Sequence, residues 1–418
     1  MQIHKIKIEK IVSGGYGLGR LDGRVVLVPY GAPGDEALIE VAPARKGVLW
    51  GTISQMIDAA PSRVDPFCAH YGRCGGCQIQ HLSYPHQLEC KRQFLEEALR
   101  RIAGICSMEA FSCSASPAHT GYRSRVRFHY DKGRVGFFTS RSHEVIPLKS
   151  CPMLTDGINR CLEQFGSFVS DYPLPGLSEI QITEDADARV ILTLNVNVAP
   201  EANVIERFQK SLDVAGAVAK AGSRIIPLWG EQYSNHSVEG KNFRVGPDSF
   251  FQANTLLLPA LVHEAMKAIS RTEISYAVEL YAGVGVFSLF LSEKVRKLVA
   301  VEANRSAAED AAHNLIDRKN VEIMPVSAED ALDLLTRKGA KPELVLLDPP
   351  REGLSTAARR KLLQMAPRQV VYISCDPATL ARDAKMFVAG GYRLETAKPL
   401  DMFPHTAHVE SVCSFVRS

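Results

Sequence analysis

At 418 residues the chain is long enough for two or three domains, and 46% hydrophobic content supplies ample core material. A formal net charge of +3 is too small to imply a polyanion partner by itself, and no apolar run approaches membrane-spanning length, so no membrane partner is expected. The positive charge is local: Gly121 to Ser150 holds seven Lys/Arg against two Asp/Glu, which leaves the rest slightly acidic.

The opening Met1-Gln2-Ile3-His4-Lys5 lacks the apolar stretch of a secretory leader, so a cytoplasmic protein is expected. Its ten cysteines then need an account other than disulfides. Residues 1–60 alternate apolar and polar positions between turns at Ser13-Gly14-Gly15, Leu21-Asp22-Gly23 and Ala32-Pro33-Gly34. Val25, Leu27, Leu38, Ile39 and Val41 predict short strands of a small barrel, a shape often used to bind oligonucleotides but also compatible with plain packing. Cys68, Cys74 and Cys77 follow, a metal-type spacing that needs a fourth ligand. Cys151, followed by Pro152, is the best candidate, since Cys-Pro often ends an iron–sulfur site; a four-cysteine zinc knuckle stays open. The five-residue first gap is too long for a radical-type enzyme, and Cys90, Cys106, Cys113, Cys161 and Cys413 read as ordinary thiols.

A helix is predicted from about Tyr84 to Ile105, with Leu95, Ala98, Leu99 and Ile102 as one apolar stripe. Residues 121–198 read as mostly β. Within them Arg123, Arg125 and Arg127 alternate with Ser124, Val126 and Phe128, which would place three guanidinium groups on one strand face. With Lys132 and Arg134 that face is either a phosphate-contacting stripe or a solvated surface. From about residue 240 β and α alternate, with strands predicted at 275–281, 297–302, 321–326, 343–348, 369–375, 392–399 and 409–416. That is the alternation of an α/β fold with a mostly parallel sheet, ending in a hairpin.

Four strand ends carry chemistry. The first leads into Ala282-Gly283-Val284-Gly285, and the second ends at Glu302, whose carboxylate suits two ribose hydroxyls. Ser288 stands where a dinucleotide fingerprint has its third glycine, which favours a nucleoside cofactor such as S-adenosylmethionine. Asp348-Pro349-Pro350 closes another strand. Val370 to Ser374 ends at Cys375, ahead of Asp376 and the helix-opening Pro377. Cys375 is then a nucleophile whose thiolate the helix terminus would favour, where the plain alternative is a buried core cysteine. Phe250 and Phe251 read in isolation as core, and Glu410 as a solvated strand residue.

Together these motifs resemble the RNA uracil-5-methyltransferase family, in particular its iron–sulfur ribosomal RNA branch. Phe250-x-Gln252-x-Asn254, Asp348 to Gly353, Ser374 to Asp383 and His408-Val409-Glu410 match family elements in order. The resemblance implies a TRAM barrel over 1–60, an iron–sulfur and RNA-binding domain over 61–236, and a class I Rossmann-like methyltransferase domain over 237–418. Residues 83–113 would pack on the last of these. It further implies Cys68, Cys74, Cys77 and Cys151 as ligands of a 4Fe–4S cluster, and Cys375 as nucleophile with Glu410 as base. Gln252, Tyr281, Gly283, Gly285, Glu302, Ser327 and Asp348 would line the S-adenosylmethionine site, with Asp348 alternatively touching the uracil. Phe250 or Phe251 would receive a flipped base, beside Arg123, Arg125 and Arg127 on RNA. Glu279 stands where the family has Asp, and Val286 where it often has Asn. The expected substrate is a uridine of 23S ribosomal RNA, with transfer RNA next and a monomer as default. An RNA cytosine-5 methyltransferase, a redox-active radical enzyme and a non-catalytic RNA-binding protein are the rivals.

Overall fold

A computed structural model describes residues 3–45, 47–106, 111–140, 142–271 and 273–417. Strands β1 (Ile3–Val12), β2 (Tyr16–Leu21), β3 (Arg24–Pro29), β4 (Glu36–Arg45) and β5 (Val48–Asp58) close into a barrel in the order β1-β2-β3-β5-β4. The strands lie where alternation puts them, and the structure fixes which phase faces inward. Val26, Val28 and Ile39 fill the interior with Ile6, Ile8 and Leu49, while Val25, Leu27 and Leu38 are only half-buried. Both phases of Val25-Val26-Leu27-Val28 are apolar, so only pairing register could choose between them.

Helix α1 (Tyr84–Ala98) continues into one π-helical turn, Leu99–Ala103, closed by Gly104 at φ 73°. The wider turn advances the phase by one residue. Leu95, Leu99 and Ala103 are therefore buried, and Ile102, expected on the stripe, is 39% exposed.

The central unit is a sheet of β6 (Arg125–Asp131), β7 (Arg134–Phe138), β8 (Val145–Pro147), β9 (Leu177–Glu184), β10 (Val190–Val196), β11 (Gly216–Ala221) and β12 (Arg224–Gly230). Their order is β12-β11-β10-β9-β6-β7-β8, antiparallel except between β10 and β11. Helix α2 (Asp156–Asp171), which the mostly-β reading of 121–198 omitted, and helix α3 (Ala202–Ser211), beyond that stretch, cover one face. Phe128, Ile180, Leu192, Phe165 and Phe208 meet there in one core.

A two-stranded ribbon, β13 (Ser234–Val238) and β14 (Lys241–Val245), leads to α4 (Leu258–Lys267) and the last sheet. That sheet alternates β15 (Ile274–Leu280), α5 (Val286–Leu291), β16 (Val295–Val301), α6 (Arg305–Asn314), β17 (Val321–Met324), α7 (Ala328–Arg337), β18 (Leu344–Leu347), α8 (Thr356–Met365), β19 (Gln369–Ser374) and α9 (Pro377–Ala389). It ends with β20 (Tyr392–Leu400) and β21 (Glu410–Arg417), in the order β17-β16-β15-β18-β19-β21-β20. The first five are parallel, and β21 runs antiparallel to both neighbours. β18 and β19 are buried along their whole length, as strands covered on both faces must be. Strand order reverses between β15 and β18, which opens a ligand crevice at their carboxyl ends. Leu95, Leu99 and Ala103 join Leu380, Phe387 and Tyr392 in one core, so the early helix packs on this sheet. Among the described residues no helix is long and apolar enough to cross a membrane.

Candidate active site

The crevice begins where β15 stops. Tyr281, Gly283 and Gly285 adopt φ of 63°, 55° and 87°, folding the chain back to start α5. A Cβ on Gly283 would meet nothing within 4 Å, so that backbone faces open space that a ligand could enter. Glu302, past the end of β16, braces the loop: its Oε2 accepts from Gly283 N at 2.8 Å and its Oε1 from Asn304 N at 2.7 Å. Glu279 is buried behind it, and Ser288 Oγ donates to its Oε2 at 2.6 Å. Ser288, which breaks the dinucleotide pattern, thus tethers a buried acid. Burial pushes Glu279 up to about 8, and its Oε1 has no partner among the described residues. Gln252 is 9% exposed, next to Asn254, whose Nδ2 donates to Ser116 Oγ at 3.0 Å and Met402 O at 3.2 Å. Ser327 is the N-cap of α7, accepting from Asp330 N at 3.1 Å and donating to its carboxylate at 2.7 Å, so its hydroxyl is committed to the helix.

The reactive end lies one strand over. The ladder pairs Ser374 with Ser411, so Cys375 and Glu410 face each other just beyond it. Asp348, at the end of β18, completes a trio. Burial pushes the Cys375 thiol up to about 12, helped by the charges of Glu410, Asp348 and Asp376 and opposed by Arg351. Burial likewise raises Glu410 well above the carboxylate range, reinforced by Asp348 and opposed by Arg351. Burial raises Asp348 to about 7.

The helix terminus does not favour the thiolate as expected. Asp376 is the N-cap of α9, and its Oδ1 takes the Ala378 and Thr379 amides at 2.9 Å each. The dipole's positive end is therefore spent on a carboxylate that itself disfavours a second negative charge. Arg351 is the residue that sequence reasoning missed, although it sits inside the Asp-Pro-Pro-Arg motif. It opposes the raised values of both Cys375 and Glu410, and its Nη2 lies 3.5 Å from His408 Nε2.

Of the two phenylalanines, Phe251 is core, stacked on His236 with centroids 4.3 Å apart, whereas Phe250 is 68% exposed. Phe250 borders a groove with Arg125, Arg127, Gln181, Asn195 and Lys220 on the uncovered face of the central sheet. Arg125 donates to Ser249 O at 2.6 Å, and Arg127 reaches Glu179 at 3.8 Å. Arg123 does not share that groove. It precedes β6, bridges to Leu154 and Asn254, and sends its guanidinium over Phe403, 5.8 Å from the ring centroid. The three-arginine stripe is thus two arginines and a separate one.

Arg123 instead lines a cavity with Cys68, Cys74, Cys77 and Cys151, together with Tyr71, Gln80 and Thr406. Three sulfurs from residues 68–77 and a fourth from Cys151 share one pocket with no imidazole or carboxylate in its wall, a donor set that fits a thiolate-ligated group. Among the described residues no group of three or more His, Cys, Asp or Glu is arranged to hold a metal ion. The expected ligand set is therefore present as a cavity wall and not as a convergent site. Burial pushes Cys77 up to about 12, and Arg123 opposes the shift.

Comparison with known proteins gives a consistent picture. Residues 209–417 match the family model described as tRNA (uracil-5-)-methyltransferase, and residues 2–53 match the TRAM domain. An uncharacterized RNA methyltransferase of Aquifex aeolicus is 32% identical, covering 98% of this chain and 97% of its own. One from Thermotoga maritima is 29% identical over 99% of each. The crystal structure of Pyrococcus abyssi tRNA (uracil-54, C5)-methyltransferase, in complex with S-adenosyl-L-homocysteine, superposes with a TM-score of 0.74 at 25% identity, covering 98% of this chain and all of that one.

Proposed function

The chain belongs to the tRNA (uracil-5-)-methyltransferase family of S-adenosylmethionine-dependent RNA-methylating enzymes, and we propose that it methylates C5 of one uridine through a covalent Cys375 adduct. The observation that carries this reading is the register that sets Glu410 against Cys375, with Asp348 beside them.

Uracil C5 is too weak a nucleophile to take a methyl group unaided. Cys375 Sγ attacks C6, an S–C6 bond forms, and the C5=C6 electrons move toward O4 and C5. With its thiol raised to about 12, Cys375 must lose its proton during attack. Asp348, raised to about 7, is the neighbour matched to accept it near neutral pH. S-adenosylmethionine, when bound by Gln252, Tyr281, Gly283, Gly285 and Glu302, supplies the methyl group that C5 takes. Glu410, which must enter this step ionised and which Arg351 helps to ionise, then removes the C5 proton, the double bond re-forms, and Cys375 is expelled with its electron pair. Open space at Gly283 and the unpartnered Oε1 of Glu279 support a cofactor at this edge.

The target base must leave its stack, at a cost of a few kcal/mol. Exposed Phe250 is the surface on which it or a neighbour stacks, with Arg125 and Arg127 toward phosphates. Cys68, Cys74, Cys77 and Cys151, which line one cavity, would hold a 4Fe–4S cluster that would shape the RNA-binding unit and take no part in the reaction. Resemblance to the iron–sulfur branch of the family favours 23S ribosomal RNA as substrate, in the cytoplasm; likeness to the Pyrococcus enzyme favours transfer RNA as the second reading. Mapping 5-methyluridine in both RNAs from cells with and without the chain tests this. Loss of one 23S site supports the first, loss of a tRNA site the second, and no change in either defeats both.

A further inference from the structure

Between β20 and β21 the chain passes through residues 401–409 before it delivers Glu410. His405, in the middle, has φ 67°, a left-handed conformation uncommon for a residue other than glycine. The groups that hold it come from far away in sequence. His405 N donates to Gln87 Oε1 at 2.9 Å, and its Nδ1 lies 3.1 Å from Gln87 Nε2. His405 O accepts from the amides of Gln78 and Ile79 at 3.1 Å each. Gln87 is 1% exposed and also donates to Leu82 O at 2.9 Å, so both ends of its amide are engaged. Nearby, Lys91 pairs with Asp401, both fully buried, and donates to Phe403 O at 2.9 Å. Val409, the neighbour of Glu410, sits in a core built from Ile11, Ala60, Ile79, Leu82, Cys90 and Phe94. The barrel and α1 therefore hold the approach to Glu410.

We propose that Gln87 is a positioning residue for the second half of the reaction. It holds His405 left-handed, and the loop braced in this way keeps Glu410 aimed at the C5 proton. The inference rests on the covalent reading above.

The test compares full-length wild type with Gln87→Leu and Gln87→Glu; the latter keeps the acceptor for His405 N but loses the donor toward its ring. The probes are 23S ribosomal RNA and tRNA transcribed with either UTP or 5-fluoro-UTP. Fluorine at C5 cannot leave as a proton, so fluorinated RNA reports attack and methyl transfer alone, as a protein–RNA adduct that survives denaturing gels. Both variants should form that adduct at rates within about twofold of wild type, with KM unchanged. On ordinary RNA, Gln87→Leu should turn over on the order of 100-fold more slowly, and Gln87→Glu about tenfold, while the methylated adduct accumulates. Unchanged turnover on ordinary RNA, or adduct formation and turnover falling together, overturns the proposal. If Gln87→Leu does not melt cooperatively, Gln87→Glu decides by the same two readouts. Absence of any fluorinated adduct with wild type would overturn the covalent reading itself, and this inference with it.

Discussion

Two sets of half-buried thiols differ in the charges around them. Cys375 faces Glu410, Asp348 and Asp376, with Arg351 opposing. Cys74, Cys77 and Cys151 face other cysteines, and Arg123 is the charged group that acts on all three. Burial raises every one of these thiols, yet the company differs in sign. Carboxylates beside Cys375 can take and return protons, which suits a nucleophile that must bond and leave. A guanidinium beside several thiols suits a group that stays put and carries negative charge. On the proposed reading the same side chain would serve chemistry in one place and retention in the other.

The largest effect that breaks this contrast is at the nucleophile. Cys375→Ala should abolish methyl transfer, by on the order of 10⁴-fold or more, with RNA binding kept; a labelled-methyl assay beside filter binding checks this. Glu410→Gln comes next: turnover should drop about 10²–10⁴-fold while a protein–RNA adduct builds up on denaturing gels. An equal fall in adduct would make Glu410 a part of the attack step instead. At the other thiols, Cys77→Ser should strip iron and the visible absorbance of anaerobically purified protein while Cys375 still alkylates at the wild-type rate. Colourless wild type containing zinc would replace the cluster by a zinc knuckle.

Phe250→Ala sharpens the RNA face. Loss of one stacked base is worth about 1–3 kcal/mol, so affinity should weaken roughly five- to 150-fold in a titration, without change in melting temperature. The smallest effect concerns stability. Asp348, raised to about 7, costs stability as pH climbs from its unfolded value through 7, because only the unfolded chain ionises it freely. Asp348→Asn should therefore raise the melting temperature at pH 8, and the gain should shrink at pH 5. A gain that is flat with pH would mean that ionisation of Asp348 is not what costs stability.

Much of the catalytic sheet was legible because parallel strands buried on both faces read as short apolar runs, and their ends carry the chemistry. Tyr281 to Gly285, Glu302, Asp348 and Cys375 all lie within a few residues of such an end. The thiolate expectation failed because a first-turn Pro377 announces a helix terminus but not what already occupies it, here Asp376. Ile102 fell off its stripe because a π turn is invisible to a fixed helical period. The helix α2 was missed because the strands around it dominated the pattern.

The amino-acid sequence alone determined where the strands of the last sheet end, which residues those ends present, and that a barrel precedes four cysteines. These are local matters of apolar runs, glycines and turns. Tertiary structure decided that Glu410 opposes Cys375, that Arg123 leaves its neighbours for the cysteine cavity, and that Gln87 holds His405 across more than three hundred residues. Strand register and buried hydrogen bonds between remote segments depend on the assembled core, and no local pattern encodes them.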